Sequence, residues 1–217
     1  MTEKEFIEEV KKLGISPTSQ KLEQLNRYYS LLIEWNKKIN LTRITDKKDV
    51  YLKHFYDSLT ILKVVDLNNY STLLDFGTGA GFPGLVLKIF YPNLEITLVD
   101  SLNKRVIFLK EVIEKLGLTK INVYHQRIEE LKRIKYDIIT TRAVANLTKL
   151  LEYTNGLIKE NTMFIPLKSH VDDEIKLSIP LLHKLNLKIT KQETFYLPYE
   201  ESLRNILIIE KNSKSQK

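Results

Sequence analysis

The sequence predicts an α/β fold: a mostly parallel seven-stranded sheet that closes in an antiparallel hairpin and is preceded by a helical extension. Three observations carry this. From residue 72 onward, short apolar runs alternate with amphipathic helices, the order that builds a parallel sheet with right-handed crossovers. At its start, Leu73-Leu74-Asp75-Phe76 leads into Gly77-Thr78-Gly79-Ala80-Gly81-Phe82-Pro83-Gly84, a strand and a four-glycine turn before an apolar helix. At its end, apolar runs near Leu187–Leu197 and Leu203–Ile209 are joined through Pro198-Tyr199-Glu200-Glu201, short enough for a hairpin.

Residues 1–70 form the predicted extension. Phe6, Val10 and Leu13 share one face of a first helix, and Leu22, Leu25, Tyr29, Leu32 and Trp35 share one face of a second. Gly14-Ile15-Ser16-Pro17 separates them, with Thr18 or Ser19 as the cap of the second. A third, shorter helical segment runs from Tyr51 to Val65 and stops before Asp66-Leu67-Asn68-Asn69. In the sheet domain, residues 71–210, the strands are Thr72–Phe76, Leu94–Asp100, Ile121–His125, Tyr136–Thr141 and Thr162–Leu167 before the closing pair. Helices are expected over Pro83–Tyr91, Asn103–Leu116 and Leu147–Ile158, with a short turn at Ile128–Leu131. In the clearest helix Val106, Leu109, Ile113 and Leu116 recur at helical spacing and Gly117 ends it. A further helix near Val171–Leu185 should be broken or kinked by Pro180. The polar tail, residues 211–217, carries no packing signal and reads as disordered.

With 43% hydrophobic and 28% charged residues in 217, the chain reads as soluble and globular, large enough for one domain with an appendage. No apolar run approaches the ~20 residues of a membrane span, and Met1-Thr2-Glu3-Lys4-Glu5 does not open a signal peptide, so a cytoplasmic location is expected. The absence of cysteine excludes disulfides and thiol nucleophiles. His54, His125, His170 and His183 show no ligand spacing, and no metal is expected. The net charge of +7 is uneven: residues 104–135 hold nine Lys/Arg against four Glu, a surplus of five. Such a surplus suits a polyanionic partner. A lysine-rich solubilising surface is the alternative, and charge alone does not separate the two.

The glycine turn is the strongest functional signal, because glycine admits positive φ and close approach of a ligand, and the helix behind it presents free N–H groups. A phosphate-binding Walker loop requires Lys and Ser/Thr where Leu85 and Val86 stand, which sets that reading aside. The dinucleotide fingerprint is G-x-G-x-x-G, whereas here G-x-G-x-G follows a strand-ending aspartate. The D-x-G-x-G-x-G pattern is similar to motif I of S-adenosylmethionine (SAM) methyltransferases, with a purely structural turn as the alternative. Sheets of this kind bind ligands at the carboxyl ends of their strands, where Asp75, Gly77, Asp100, Arg127, Glu129 and Arg142 are expected to converge. Asp100 lies about 20 residues beyond the turn, the place of a carboxylate that accepts from ribose hydroxyls, or else is an ordinary turn aspartate. Asp75 either touches ligand or holds the N–H groups of the loop. Arg142 either faces ligand or forms a surface ion pair.

Five segments together resemble one family: Trp35-Asn36-Lys37-Lys38-Ile39-Asn40-Leu41-Thr42, His54-Phe55-Tyr56-Asp57-Ser58-Leu59, Asp75 to Gly84, Arg127-Ile128-Glu129 and Thr141-Arg142-Ala143-Val144. It is the glucose-inhibited division protein B family, bacterial methyltransferases that modify N7 of a guanine in 16S ribosomal RNA. The resemblance implies a Rossmann-like SAM-dependent methyltransferase fold, SAM as cofactor, and 16S RNA or the small ribosomal subunit as partner of a monomeric enzyme. It implies that Gly77, Gly79, Gly81 and Phe82 meet SAM, that Asp100-Ser101-Leu102 lies along the ribose, that Ile128 and Glu129 border the adenine, and that Arg142 closes the pocket. Phe82 is also the candidate wall for the target base, or else a core aromatic. Lys104, Arg105, Lys132, Arg133 and Lys168 are the RNA-binding candidates. No catalytic base is expected, because guanine N7 carries no proton. His54 and Asp57 either touch RNA or, the preferred reading, tie the extension to the sheet. Lys168 is followed by Ser169 where the family has glycine, which predicts a differently shaped loop. A noncatalytic RNA-binding or assembly protein that retains the cradle is the rival from another class.

Overall fold

Capping side chains set the helix starts of the extension in the computed structural model, which describes residues 1–131 and 134–212. Thr2 and Glu5 form a capping box on α1 (Glu3–Lys12), Thr18 caps α2 (Ser19–Asn36), and Asp46 accepts from the Lys48 and Asp49 amides at the start of α3 (Lys47–Val50). That cap starts the third helical segment four residues earlier than its apolar pattern suggests. The chain then continues as π-helical turns over Tyr51–Tyr56, α4 (Asp57–Leu59) and 3-10 turns at Thr60–Lys63 and Leu67–Asn69.

The strands are β1 (Thr72–Phe76), β2 (Glu95–Asp100), β3 (Ile121–His125), β4 (Ile138–Arg142), β5 (Met163–Lys168), β6 (Leu187–Tyr196) and β7 (Leu203–Lys211). They form one sheet in the order β3-β2-β1-β4-β5-β7-β6, parallel through the first five positions and antiparallel for the last two. The strand order reverses direction between β1 and β4, so a crevice opens at their carboxyl ends. The connecting helices are α5 (Gly84–Phe90), α6 (Asn103–Lys115), α7 (Leu147–Tyr153) and α8 (Asp172–Lys184), with a 3-10 turn at Ile128–Glu130.

Alternation along β1 divides the core between the two faces of the sheet. Leu73 joins Ile96 and Leu98 in a buried cluster shared with Phe6, Val10, Leu25, Tyr28, Leu32 and Phe55 of the extension. Leu74 points the other way, into a cluster with Ile139, Leu151, Phe164 and Leu207. The extension is therefore part of the covering layer of one face.

Four further details differ from the sequence reading. α2 buries Tyr28, and Tyr29 is only partly covered, because Tyr28 fills the space beside Gly81. α7 ends at Tyr153, where the Thr154 hydroxyl donates to the Leu150 carbonyl and Gly156 takes φ 82°. α8 runs unbroken through Pro180, held by buried Leu182 and by buried Ser178, which bonds Thr148 of α7, so tertiary packing offsets the lost N–H. Lys211 belongs to β7, pairing opposite Leu187, and Asn212 donates from its backbone to Asn186; the rest of the tail lies outside the described residues. Among the described residues no helix is long and apolar enough to cross a membrane.

Candidate active site

A cleft of about 190 Å³ opens at the carboxyl ends of β1, β2 and β3, lined by Gly77, Asp100, Ser101, Ile128, Glu129 and Val144, with Gln126 and Tyr153 also on its wall. Asp100 is its buried acid. Its Oδ2 accepts from the Gly79 amide at 2.9 Å and from Arg105 at 3.4 Å, and its Oδ1 accepts from the Leu102 amide at 2.9 Å. Each carboxylate oxygen can accept more than one hydrogen bond, so the group that fixes the loop retains capacity for hydroxyl donors. Ile128 is buried and supplies an apolar wall, while Ser101 and Glu129 are exposed at the rim. Leu102 stands just outside, about half exposed.

The four glycines of the turn have different duties. Gly77 (φ +63°) lines the cleft, and a Cβ there would collide with the Val144 side chain. Gly79 (φ +61°) faces open space, with nothing nearer than 4.0 Å to an added Cβ. Gly81 instead makes room for α2, since a Cβ would strike Leu85 and the Tyr28 hydroxyl. That hydroxyl donates to the Ala80 carbonyl and so holds the turn from the extension side. Gly84 admits Leu98 and the Asp75 carboxylate.

Asp75 is fully buried beneath the turn and absent from the cleft wall. Its Oδ2 accepts from the Thr78 hydroxyl at 2.6 Å and the Gly84 amide at 2.8 Å, and its Oδ1 has no partner among the described residues. Burial lifts this carboxyl to about 7 against those two hydrogen bonds. Of the two roles open to it, the geometry is that of loop support. The expectation of Phe82 as a wall for the target base requires correction. Its ring is 5% exposed, stacked on His54 (4.4 Å) and Tyr28 (5.5 Å), with the Arg142 guanidinium 5.2 Å from its centre, so no open face remains for a base.

A second cavity, about 350 Å³, lies at the carboxyl ends of β4 and β5, walled on one side by Lys53, His54 and Asp57 of the extension and on the other by Arg142, Lys168 and Arg204. Arg142 thus sits across the crevice from the cleft. It donates to the Lys53 carbonyl (3.0 Å), Asp57 (3.1 Å) and His54 Nδ1 (3.2 Å). Asp57 accepts from Arg204 Nε as well, at 3.0 and 3.1 Å, so one buried carboxylate joins the extension to β4 and β7. His54 Nε2 lies 2.8 Å from the Thr42 hydroxyl. Burial, reinforced by Arg142, lowers this imidazole to about 3, which keeps it neutral at physiological pH. His54 and Asp57 do tie the extension to the sheet, and they line a cavity in doing so.

The basic candidates divide. Lys104 is exposed in the first turn of α6, Arg105 is tethered to Asp100, and Lys168 lines the second cavity. Lys132 and Arg133 lie outside the described residues. Ser169 is not among the residues with positive φ, so this position does not need glycine in this loop; its carbonyl accepts from Asn205 at 2.6 Å. Sequence reasoning missed Gln126 and Tyr153 in the cleft and Lys53 and Arg204 in the cavity. Gln126 adjoined a noted segment, but nothing local marks Tyr153 or Arg204, which arrive from distant elements.

A family described as rRNA small subunit methyltransferase G matches residues 21–195. The ribosomal RNA small subunit methyltransferase G of Bacillus licheniformis is 45% identical over 223 residues, covering 100% of this chain and 93% of that protein. The protein of the same name from Listeria monocytogenes serotype 4b is 41% identical, covering 99% and 93%. Among solved structures, mitomycin 7-O-methyltransferase superposes with TM-score 0.61 at 14% identity, covering 89% of this chain and 68% of that one. A Bacillus subtilis tRNA methyltransferase superposes with TM-score 0.59 at 16% identity, covering 74% and 68%. At those identities the structural likeness speaks for the fold.

Proposed function

We propose that this chain, which belongs to the rRNA small subunit methyltransferase G family, transfers the methyl group of SAM to N7 of a guanine in 16S ribosomal RNA. The observation that carries the reading is the match over the whole chain to proteins named for rRNA methylation.

The cleft residues fit SAM. Asp100 is the acceptor for ribose hydroxyls, Ile128 and Val99 are apolar surfaces for a purine ring, and Gly77 leaves the loop without a side chain. Bound there, SAM supplies a methyl group already activated by the adjacent sulfonium. What remains for the protein is to hold the acceptor in line at about 3–3.5 Å. Transfer to N7 needs no proton removed, and the second cavity agrees with this. Its one imidazole, His54, is held neutral with both ring nitrogens engaged, and Asp57 is spent on two arginines.

The RNA reaches the site across a basic surface that includes Lys104 and Arg105, and the enzyme acts as a monomer in the cytoplasm. Incubation with labelled SAM and, separately, free 16S RNA, isolated small subunits or bulk protein tests the reading. Label recovered as 7-methylguanine from RNA is the expected result; label in protein, or in another nucleoside, sinks it.

A further inference from the structure

The second cavity shares a wall with the cleft assigned to SAM: Ala143 lines the one and its neighbour Val144 the other. Ala143 has φ +56°, a left-handed conformation that costs a non-glycine residue energy and persists where the surroundings dictate it. The cavity's carboxylates are already engaged. Asp57 accepts from Arg142 and Arg204, and Glu174 Oε2 accepts from Lys168 at 2.9 Å and from the Leu147 amide at 2.7 Å. Its donors are not used up. Lys168 spends two of three N–H bonds, on Glu174 and on the Ala145 carbonyl (2.7 Å), and Arg204 Nη2 has no partner among the described residues.

A cavity lined by donors selects for acceptors. On the edge that carries N7, guanine presents the acceptors N7 and O6, whereas adenine presents the N6 amino donor beside N7. The methylated N7 must keep its lone pair free, which leaves O6 as the atom for the protein to read. Resting on the function proposed above, we infer that this cavity receives the guanine to be methylated, and that Lys168 is the specificity-determining residue that donates to its O6. The extension is then one wall of the substrate site.

Two variants test this in single-turnover methyl transfer with SAM saturating, alongside SAM affinity by calorimetry. Ser169→Trp places a bulky ring at an exposed position on the cavity wall; transfer should fall by about 100-fold or more while SAM affinity stays within about 2-fold. Lys168→Met should slow transfer to guanine by about 10- to 100-fold, and Lys168→Arg should recover most of it. RNA carrying 2-aminopurine, which lacks O6, at the mapped position should be modified equally by Lys168→Met and the unaltered protein. Ser169→Trp acting at the unaltered rate overturns the cavity assignment. Lys168→Met slowing both RNAs equally overturns O6 reading and points to a phosphate contact. An unaltered protein that labels no RNA fails the proposed function itself, and the inference falls with it.

Discussion

The two halves of the sheet's carboxyl edge are built on different principles. The cleft over β1, β2 and β3 draws on Gly77, Asp100 to Ser101 and Gln126 to Glu129, three short segments that each follow a strand, and its loop is held largely by backbone amides donating to buried carboxylates. The cavity over β4 and β5 is assembled from residues as far apart as Lys53 and Arg204 and is held by ion pairs. A site made of backbone can bind a constant ligand in many proteins of one fold. A site made of scattered side chains is where one member acquires its own substrate.

Four perturbations should break or sharpen that contrast. Asp57→Ala leaves Arg142 and Arg204 without their shared carboxylate, and the folded state should lose about 3–5 kcal/mol, read as a lowered urea midpoint. SAM affinity in the still-folded protein should change little; an equal collapse of SAM binding would show that the halves are not separable. Gly77→Val combines a left-handed backbone with a collision at Val144, and SAM affinity should fall by more than about 100-fold in calorimetry with the fold retained. Unchanged affinity would remove Gly77 from the cofactor site. Tyr28→Phe deletes only the hydroxyl that holds the Ala80 carbonyl, and SAM should bind about 3- to 10-fold more weakly at nearly unchanged melting temperature.

The smallest effect is a change of sign. His54 is lowered to about 3 from 6.5, so unfolding takes up a proton between those values and the fold loses stability as pH falls through that range. Asp75 is raised to about 7 from 3.8, so unfolding releases a proton there and the fold loses stability as pH rises through that range. One group serves each half of the site, and over pH 3.8 to 6.5 they oppose one another. Urea denaturation should show stability rising with pH more steeply in Asp75→Asn than in the unaltered protein, and less steeply in His54→Gln. Parallel curves for all three would contradict both assignments.

What could be read beforehand follows the same division. The order of the strands, to within two residues at their ends, the antiparallel closure and the cleft residues Gly77, Asp100 and Glu129 are written in local pattern: short apolar runs, glycine spacing, a polar residue at or just past a strand end; Ser101 and Ile128 are legible only through the family resemblance. Phe82 was misjudged as a base platform because sequence placed it beside the loop without showing that Tyr28 and His54 would cover it. The divided duties of the glycines were hidden for the same reason, since Gly81 is small on account of an α2 side chain 53 residues away. Pro180 was over-read, because a local penalty gave way to packing of the whole helix.

The bond between Asp57 and Arg204 spans 147 residues. During synthesis the glycine turn, Asp100 and the Ile128-Glu129 pair leave the ribosome well ahead of β7, whereas the ion pairs around Asp57 stay incomplete until Arg204 appears. The cavity over β4 and β5 is therefore completed only once β7 has been made, later than the cleft over β1, β2 and β3.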